Sequence, residues 1–186
     1  MALSSPVYQF PMDDRALTLV GRITLIWAQI DFQIDGILMG LHGIDADQLE
    51  SLFGSSTVGR KITGVKRAVH RAANQDVRAA LTAFCEATAT CIADRNLMTH
   101  GMWGWVWNEE GRWEACAVNH RRKNALSVDQ LEDLHERVVA AALKADEAHS
   151  LITTGTSPPE TRNRAVAYSP FPPETAPCGP PPRYDR

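Results

Sequence analysis

Between residues 20 and 41 one apolar seam reads Val20, Ile23, Trp27, Ile30, Ile34, Ile37 and Leu41. The steps alternate between three and four residues. On a helix of about 3.6 residues per turn such steps lay every one of these groups on a single stripe. A strand alternates with a period of two and cannot produce this spacing. One helix cannot bury so long a stripe against itself. The stripe therefore requires a partner helix at a shallow crossing angle. Asp13 or Asp14 can cap this helix, and His42-Gly43 can close it. The same stretch carries Arg22, Asp31 and Asp35, which excludes a membrane-spanning reading.

The rest of the chain continues in the same period. Asp45 to Phe53 reads as a short helix ended by Gly54. Ser55, Ser56 or Thr57 can cap a helix over 57–73, with Val58, Ile62, Val65 and Val69 inward. Asn74-Gln75-Asp76 reads as a break. A helix over 76–99 then carries the seam Val77, Leu81, Phe84, Thr88, Cys91 and Arg95. A hydroxyl at Thr88 can bond the carbonyl one turn back. A charge at Arg95 ends an otherwise apolar stripe. Ser127 to Gln130 forms a capping box that opens a last helix over 128–152. Its seam is Leu131, Leu134, Val138, Ala141, Ala145, Ala148 and Ile152.

Before that helix the period changes to two. Trp103, Trp105 and Trp107 alternate with Gly104 and Val106. Asn108-Glu109-Glu110-Gly111 suits a turn with Gly111 at positive φ, and Arg112 to Val118 reads as the return strand. That register sets Trp107 opposite Trp113. The expected fold class is all-α: an antiparallel bundle of four to five helices with one β-hairpin inserted near 103–118.

Proline sets the limits of this domain. Pro6 and Pro11 precede it, and the other nine prolines lie between Pro158 and Pro182. The expected organisation is an N-terminal extension over 1–11, a helical domain over 12–154, and a Pro-rich disordered tail over 155–186. The first residues, MALSSPVYQFP, lack the basic and apolar regions of a signal peptide. Cys85, Cys91, Cys116 and Cys178 form no CxxC pair and no His/Cys ligand spacing. This argues against a zinc module or disulfide scaffold and for a reducing cytoplasm. A net charge of −3 excludes a uniformly basic nucleic-acid binder.

Residues 95–100 read Arg-Asn-Leu-Met-Thr-His, late in a helix and followed by Gly101. Chance places an Arg-Asn-x-x-x-His run in a chain of this composition only about 0.02 times. The chain resembles the HEPN superfamily, helical bundles marked by an Arg, an adjacent polar residue and a His near a helix end. Arg95, Asn96 and His100 match that motif in turn, and the resemblance spans roughly residues 12–153. It implies a dimeric endoribonuclease of toxin or defence type that needs no metal or other cofactor. It also implies RNA as substrate and a cognate antitoxin or regulator as partner. Many family toxins paired with a nucleotidyltransferase antitoxin carry Tyr two residues after the His. Met102 stands there in this chain, so the resemblance does not extend to that arrangement.

The residue types suit the implied chemistry. An imidazole can move the proton of a ribose 2′-hydroxyl as it attacks the adjacent phosphate. A guanidinium presents a planar donor fork to the phosphoryl oxygens. Asn96 can orient a phosphate or hold Arg95. The plainer alternative is a helix end, with Arg95 compensating the dipole and His100-Gly101 forming a cap. On an ideal helix Arg95 and His100 point about 140° apart, so convergence needs the helix to end near Thr99 or a second subunit to complete the site. The other function class is a non-catalytic interaction or nucleotide-binding module on the same fold.

Charge is uneven along the chain. Residues 55–78 carry Arg60, Lys61, Lys66, Arg67, Arg71 and Arg78 against Asp76. Arg121-Arg122-Lys123 forms a second basic group. These residues, Arg78 apart, are candidate phosphate contacts for RNA. The alternative is a solvated face that pairs with the acidic first helix. The Trp-rich hairpin can stack bases, cover a bundle end or bury in a subunit interface. The long first seam and the clustered Trp residues predict a homodimer with the motif helix near the two-fold axis.

Overall fold

A computed structural model describes residues 12–154 except 55, 108, 120, 122 and 123. The expected extension over 1–11 and the expected tail over 155–186 lie outside the described residues. The elements are α1 (Asp14–His42), α2 (Ala46–Phe53), α3 (Val58–Ala68), a 3₁₀ turn (Val69–Arg71), α4 (Gln75–His100), β1 (Met102–Trp107), β2 (Trp113–Asn119), β3 (Asn124–Ser127) and α5 (Gln130–Thr154). The fold is all-α with a small antiparallel sheet inserted between α4 and α5. Among the described residues no helix is long and apolar enough to cross a membrane.

Local chemistry accounts for the helix ends. The Asp13 carboxylate accepts from the Ala16 N–H at 2.8 Å and starts α1. Gly43 ends it at φ 63°, in the left-handed region that a Cβ disfavours. Asp45 and Gln48 form a capping box at α2, Thr57 caps α3, and Asn74 caps α4. Ser127 and Gln130 bond each other's backbone N–H as the sequence predicts.

α1 and α4 each pack on both α5 and α3. α4 runs antiparallel to its two neighbours. α1 runs alongside α5 in the same direction, with Arg15 beside Glu132, Gln33 beside Asp146 and Gly40 beside Ile152, so the expected antiparallel arrangement holds for α4 against its neighbours and not for α1 against α5. The short α2 returns the chain so that α3 also rises with α1. Ile23, Ile30, Ile34, Ile37, Leu81, Phe84, Leu131, Leu134 and Val138 are fully buried. The ends of the α1 stripe are wetter: Val20 and Leu41 are half-buried, and Leu19 and Leu38 fill the core in their place. Gly36 and Gly40 keep α1 close to α5. A Cβ at Gly36 would strike the His149 ring, and one at Gly40 would strike Ile152. Two mid-helix glycines each cost about 1 kcal/mol in propensity, so this close approach is what they provide.

Three expectations are corrected. The inserted hairpin is a three-stranded sheet, because Asn124–Ser127 pairs antiparallel with the far edge of β2. Ala117 pairs with Leu126, and both are buried against the helices. The Thr88 hydroxyl does not bond the carbonyl behind it; it is buried without a partner among the described residues. Val69 is half-buried in the 3₁₀ turn rather than an inward position of α3. The β1–β2 register matches the sequence reading, with Trp107 opposite Trp113 and Gly111 at φ 74°.

Candidate functional site

A cleft of about 660 Å³ opens at the sheet end of the bundle, between α1 and α4. Its size is that of an ordinary ligand site. Arg95, Asn96 and His100 all line it. Trp27 and Asp31 of α1 form the facing wall, and Thr57, Val58 and Gly59 bring in the start of α3. Asn119 and Asn124, where β2 ends and β3 begins, lie at the rim.

The motif residues meet on this cleft although α4 continues through His100. The Arg95 side chain folds back over the Trp27 ring, with Cζ 5.4 Å from the ring centroid. The ring face is electron-rich and holds the cation as its water is stripped away. Arg95 Nη1 donates to Asn96 Oδ1 at 3.3 Å. Arg95 Nε is buried without a partner among the described residues. Burial pushes the Arg95 pKa down, and the Asp31 charge opposes that shift. Among the described residues no carboxylate forms an ion pair with Arg95. His100 is exposed at the last position of α4.

The helix-end alternative fails in one particular. Gly101 sits at φ −71° and ψ 157°, so it is not a left-handed cap. Glycine is needed there for space: a Cβ would fall on the Leu97 carbonyl oxygen and lie 3.2 Å from Ala117 Cβ. The Gly101 N–H bonds Leu97 O at 2.7 Å and turns the chain directly into β1. Trp103 Nε1 donates to Met98 O at 3.0 Å and anchors the sheet under this turn.

Neighbouring charges are already engaged. Arg137 of α5 donates to Asp94 at 2.7 Å, Asp133 at 2.8 Å and Thr90 O at 2.7 Å, so the carboxylate beside Arg95 belongs to another partner. On the opposite wall Lys61 Nζ lies 2.9 Å from Asp31 and 2.7 Å from Asp35. Burial works against the Lys61 charge, but hydrogen bonds to Asp35 and Asp31 outweigh it and hold its pKa above that of an ordinary lysine. Thr57 Oγ1 and O take the N–H of Arg60, leaving the N–H groups of Val58 and Gly59 at the positive end of α3 beside the cleft.

The basic residues do not form one track. Lys61 is 6 % exposed and neutralised by α1, so it is removed from the expected RNA surface. Arg60, Arg67 and Arg71 gather at a second pocket between α2 and α3. Lys66 is exposed on α3 but lines neither pocket. Arg121 is exposed in the turn after β2, and Arg122 and Lys123 lie outside the described residues. Of the Trp residues in the hairpin, Trp103 covers the bundle end while Trp105, Trp107 and Trp113 stay about 60 % exposed. Trp107 and Trp113 meet edge to face at 5.3 Å.

Trp27 and Asp31 were legible only as a core position and a charge in a helix. For Asp31 the signal is its spacing of four from Asp35, which offers two carboxylates to one cation; for Trp27 the sequence carries none. Among the described residues no group of three or more His, Cys, Asp or Glu side chains is placed to hold a metal. Comparison with protein-family models, with curated proteins and with solved structures finds no match.

Proposed function

We propose that the protein is a HEPN-like endoribonuclease whose reaction takes place in the cleft of Arg95, Asn96 and His100. The observation that carries this reading is that all three motif side chains line one cleft, with no carboxylate ion-paired to Arg95 among the described residues. An anion entering there meets a guanidinium with unspent donors, the positive end of α3 and an exposed imidazole. His100 moves the proton between the ribose 2′-hydroxyl and the leaving 5′-oxygen. Arg95 stabilises the charge that builds on the phosphoryl oxygens, and Asn96 steadies Arg95. The attacking group belongs to the substrate, so the product is a 2′,3′-cyclic phosphate.

A homodimer is part of this reading. Leu25 and Phe32 are exposed on α1, 53 % and 73 %, on either side of Ala28, which lines the cleft. A second copy seated there would bring the two clefts together.

The test is incubation of purified protein with total RNA in EDTA. Removing a general acid or base costs about 10²–10⁴ in rate, and removing a charge-stabilising donor costs about 10²–10³. His100→Ala and Arg95→Ala should each nearly abolish cleavage, and His135→Ala should leave it unchanged. A 2′-deoxy sugar at the cleavage site should block the cut. Cleavage that survives both motif substitutions refutes the mechanism. A wild-type dimer without activity on RNA favours the non-catalytic interaction module.

A further inference from the structure

The second pocket has its own chemistry. It is a cavity of about 520 Å³ between the end of α1, α2 and the outer face of α3. Arg60, Arg67, Arg71 and His42 line it, and no acidic side chain does so among the described residues. Arg60 and Arg67 are seven residues apart, which puts them within about 20° on one helix face. Arg71 follows in the 3₁₀ turn and reaches the same space. Neither Arg60 nor Arg67 has a carboxylate partner among the described residues. Like charges on one face repel one another, and an anion held among them relieves that repulsion.

The third arginine is held in place. Arg71 Nη1 lies 2.8 Å from His42 Nδ1. A guanidinium only donates, so Nδ1 accepts and the neutral imidazole carries its proton on Nε2. Nε2 is buried and has no partner among the described residues. Burial, and then the Arg71 charge, push the His42 pKa down, consistent with a neutral ring.

The remaining wall is apolar. Leu52 is 61 % exposed, and Phe53 stands beside His42 with ring centroids 6.4 Å apart. Gly64 keeps this wall open, since a Cβ there would press on Phe53 at 3.1 Å. The pocket thus offers several guanidinium forks at one side and an apolar ledge at the other. A free inorganic anion would use only the first.

We infer that this pocket binds a small organic polyphosphate of the nucleoside diphosphate or triphosphate class. The phosphates lie on Arg60, Arg67 and Arg71, and the planar group rests on Leu52 and Phe53. This site is separate from the Arg95 cleft and holds whether or not the cleft cuts RNA. Ser56 borders both cavities, so an occupant here sits one helix start away from the cleft.

The experiment is calorimetric titration of the full chain in EDTA with ADP, tripolyphosphate, adenosine and a short single-stranded oligoribonucleotide carrying 2′-deoxy sugars to prevent cleavage. ADP should bind more tightly than tripolyphosphate, and adenosine should not bind at millimolar concentration. Arg67→Ala should weaken ADP by about tenfold to a hundredfold, the worth of one charge-assisted contact. Arg60→Ala should act in the same direction, and Leu52→Ala should narrow the difference between ADP and tripolyphosphate. Arg95→Ala should leave ADP binding unchanged. Circular dichroism of each variant checks the fold. Equal ADP affinity in wild type and Arg67→Ala overturns the assignment. So does a loss on Arg95→Ala, which would place the ligand in the cleft. An oligonucleotide that binds through Arg67 when ADP and tripolyphosphate do not would also overturn it, in favour of an RNA track.

Discussion

Lys61→Met removes a buried cation while keeping most of its volume. Lys61 lies within 3 Å of two carboxylates, Asp31 at 2.9 Å and Asp35 at 2.7 Å. At an effective dielectric of about 20, each attraction is worth roughly 6 kcal/mol before desolvation. Taking the ammonium out of water cancels most of that sum. Breaking such a pair from one side usually costs about 3–5 kcal/mol, because the remaining charge is left buried. Here the carboxylates are 42 % and 32 % exposed, so water takes up part of the loss. The expected cost therefore falls at or below the low end of that range, about 2–3 kcal/mol. For a domain of this size that lowers Tm by roughly 6–10 °C. Urea unfolding followed by circular dichroism measures it. The combined variant Lys61→Met, Asp31→Asn, Asp35→Asn should recover most of the loss, since it leaves no unpaired charge. A loss below about 0.5 kcal/mol, or a combined variant no better than Lys61→Met alone, would show that the triad does not hold α3 to α1.

Phe84→Ala should cost about 3–5 kcal/mol in the same assay, because Phe84 is fully buried and its removal leaves a cavity. Burial holds the pKa values of both His42 and His135 down, with Arg71 and Arg22 adding to the effect. The unfolded chain therefore binds protons first as pH falls below about 6.5, so stability is full above that pH and declines below it. His42→Asn with His135→Gln should flatten the thermal stability profile below about pH 6.5. Gly101→Ala should move the end of α4, so that RNA cleavage falls more than thermal stability does. Light scattering at micromolar concentration should show a dimer, and Phe32→Asp should shift it to monomer. A wild-type monomer would refute the dimer.

The long helices were legible because one physical signal dominates them. Ile23, Ile30, Ile34 and Ile37 repeat at helical spacing, and all four are fully buried. Asp13, Gly43, Asn74 and the Ser127–Gln130 pair mark ends that the backbone itself requires. β3 was not legible. Asn124-Ala-Leu-Ser has a single large apolar group, and only the edge of β2 makes it a strand. Its pairing is a tertiary event with no local signature. The direction of α1 relative to α5 was hidden for a similar reason, since it depends on how α2 returns the chain.

At the site the motif was legible and its surroundings were not. Arg95 stands at the last seam position of α4, where an apolar residue would continue the stripe. The structure resolves that anomaly without an ion pair: Trp27, itself a seam residue of α1, turns its ring face to the guanidinium. One stripe thus ends by becoming the wall of a cleft. The charge runs were harder, because sequence records sign and not depth. Arg60 and Lys61 are adjacent, yet successive helix positions differ by about 100°. Lys61 turns inward to Asp31 and Asp35, while Arg60 turns outward to the pocket it shares with Arg67 and Arg71. Among the described residues the acidic first helix therefore neutralises one cation of the basic segment. The three arginines on the outer face keep their charge, and that residual charge is what an anionic ligand would meet.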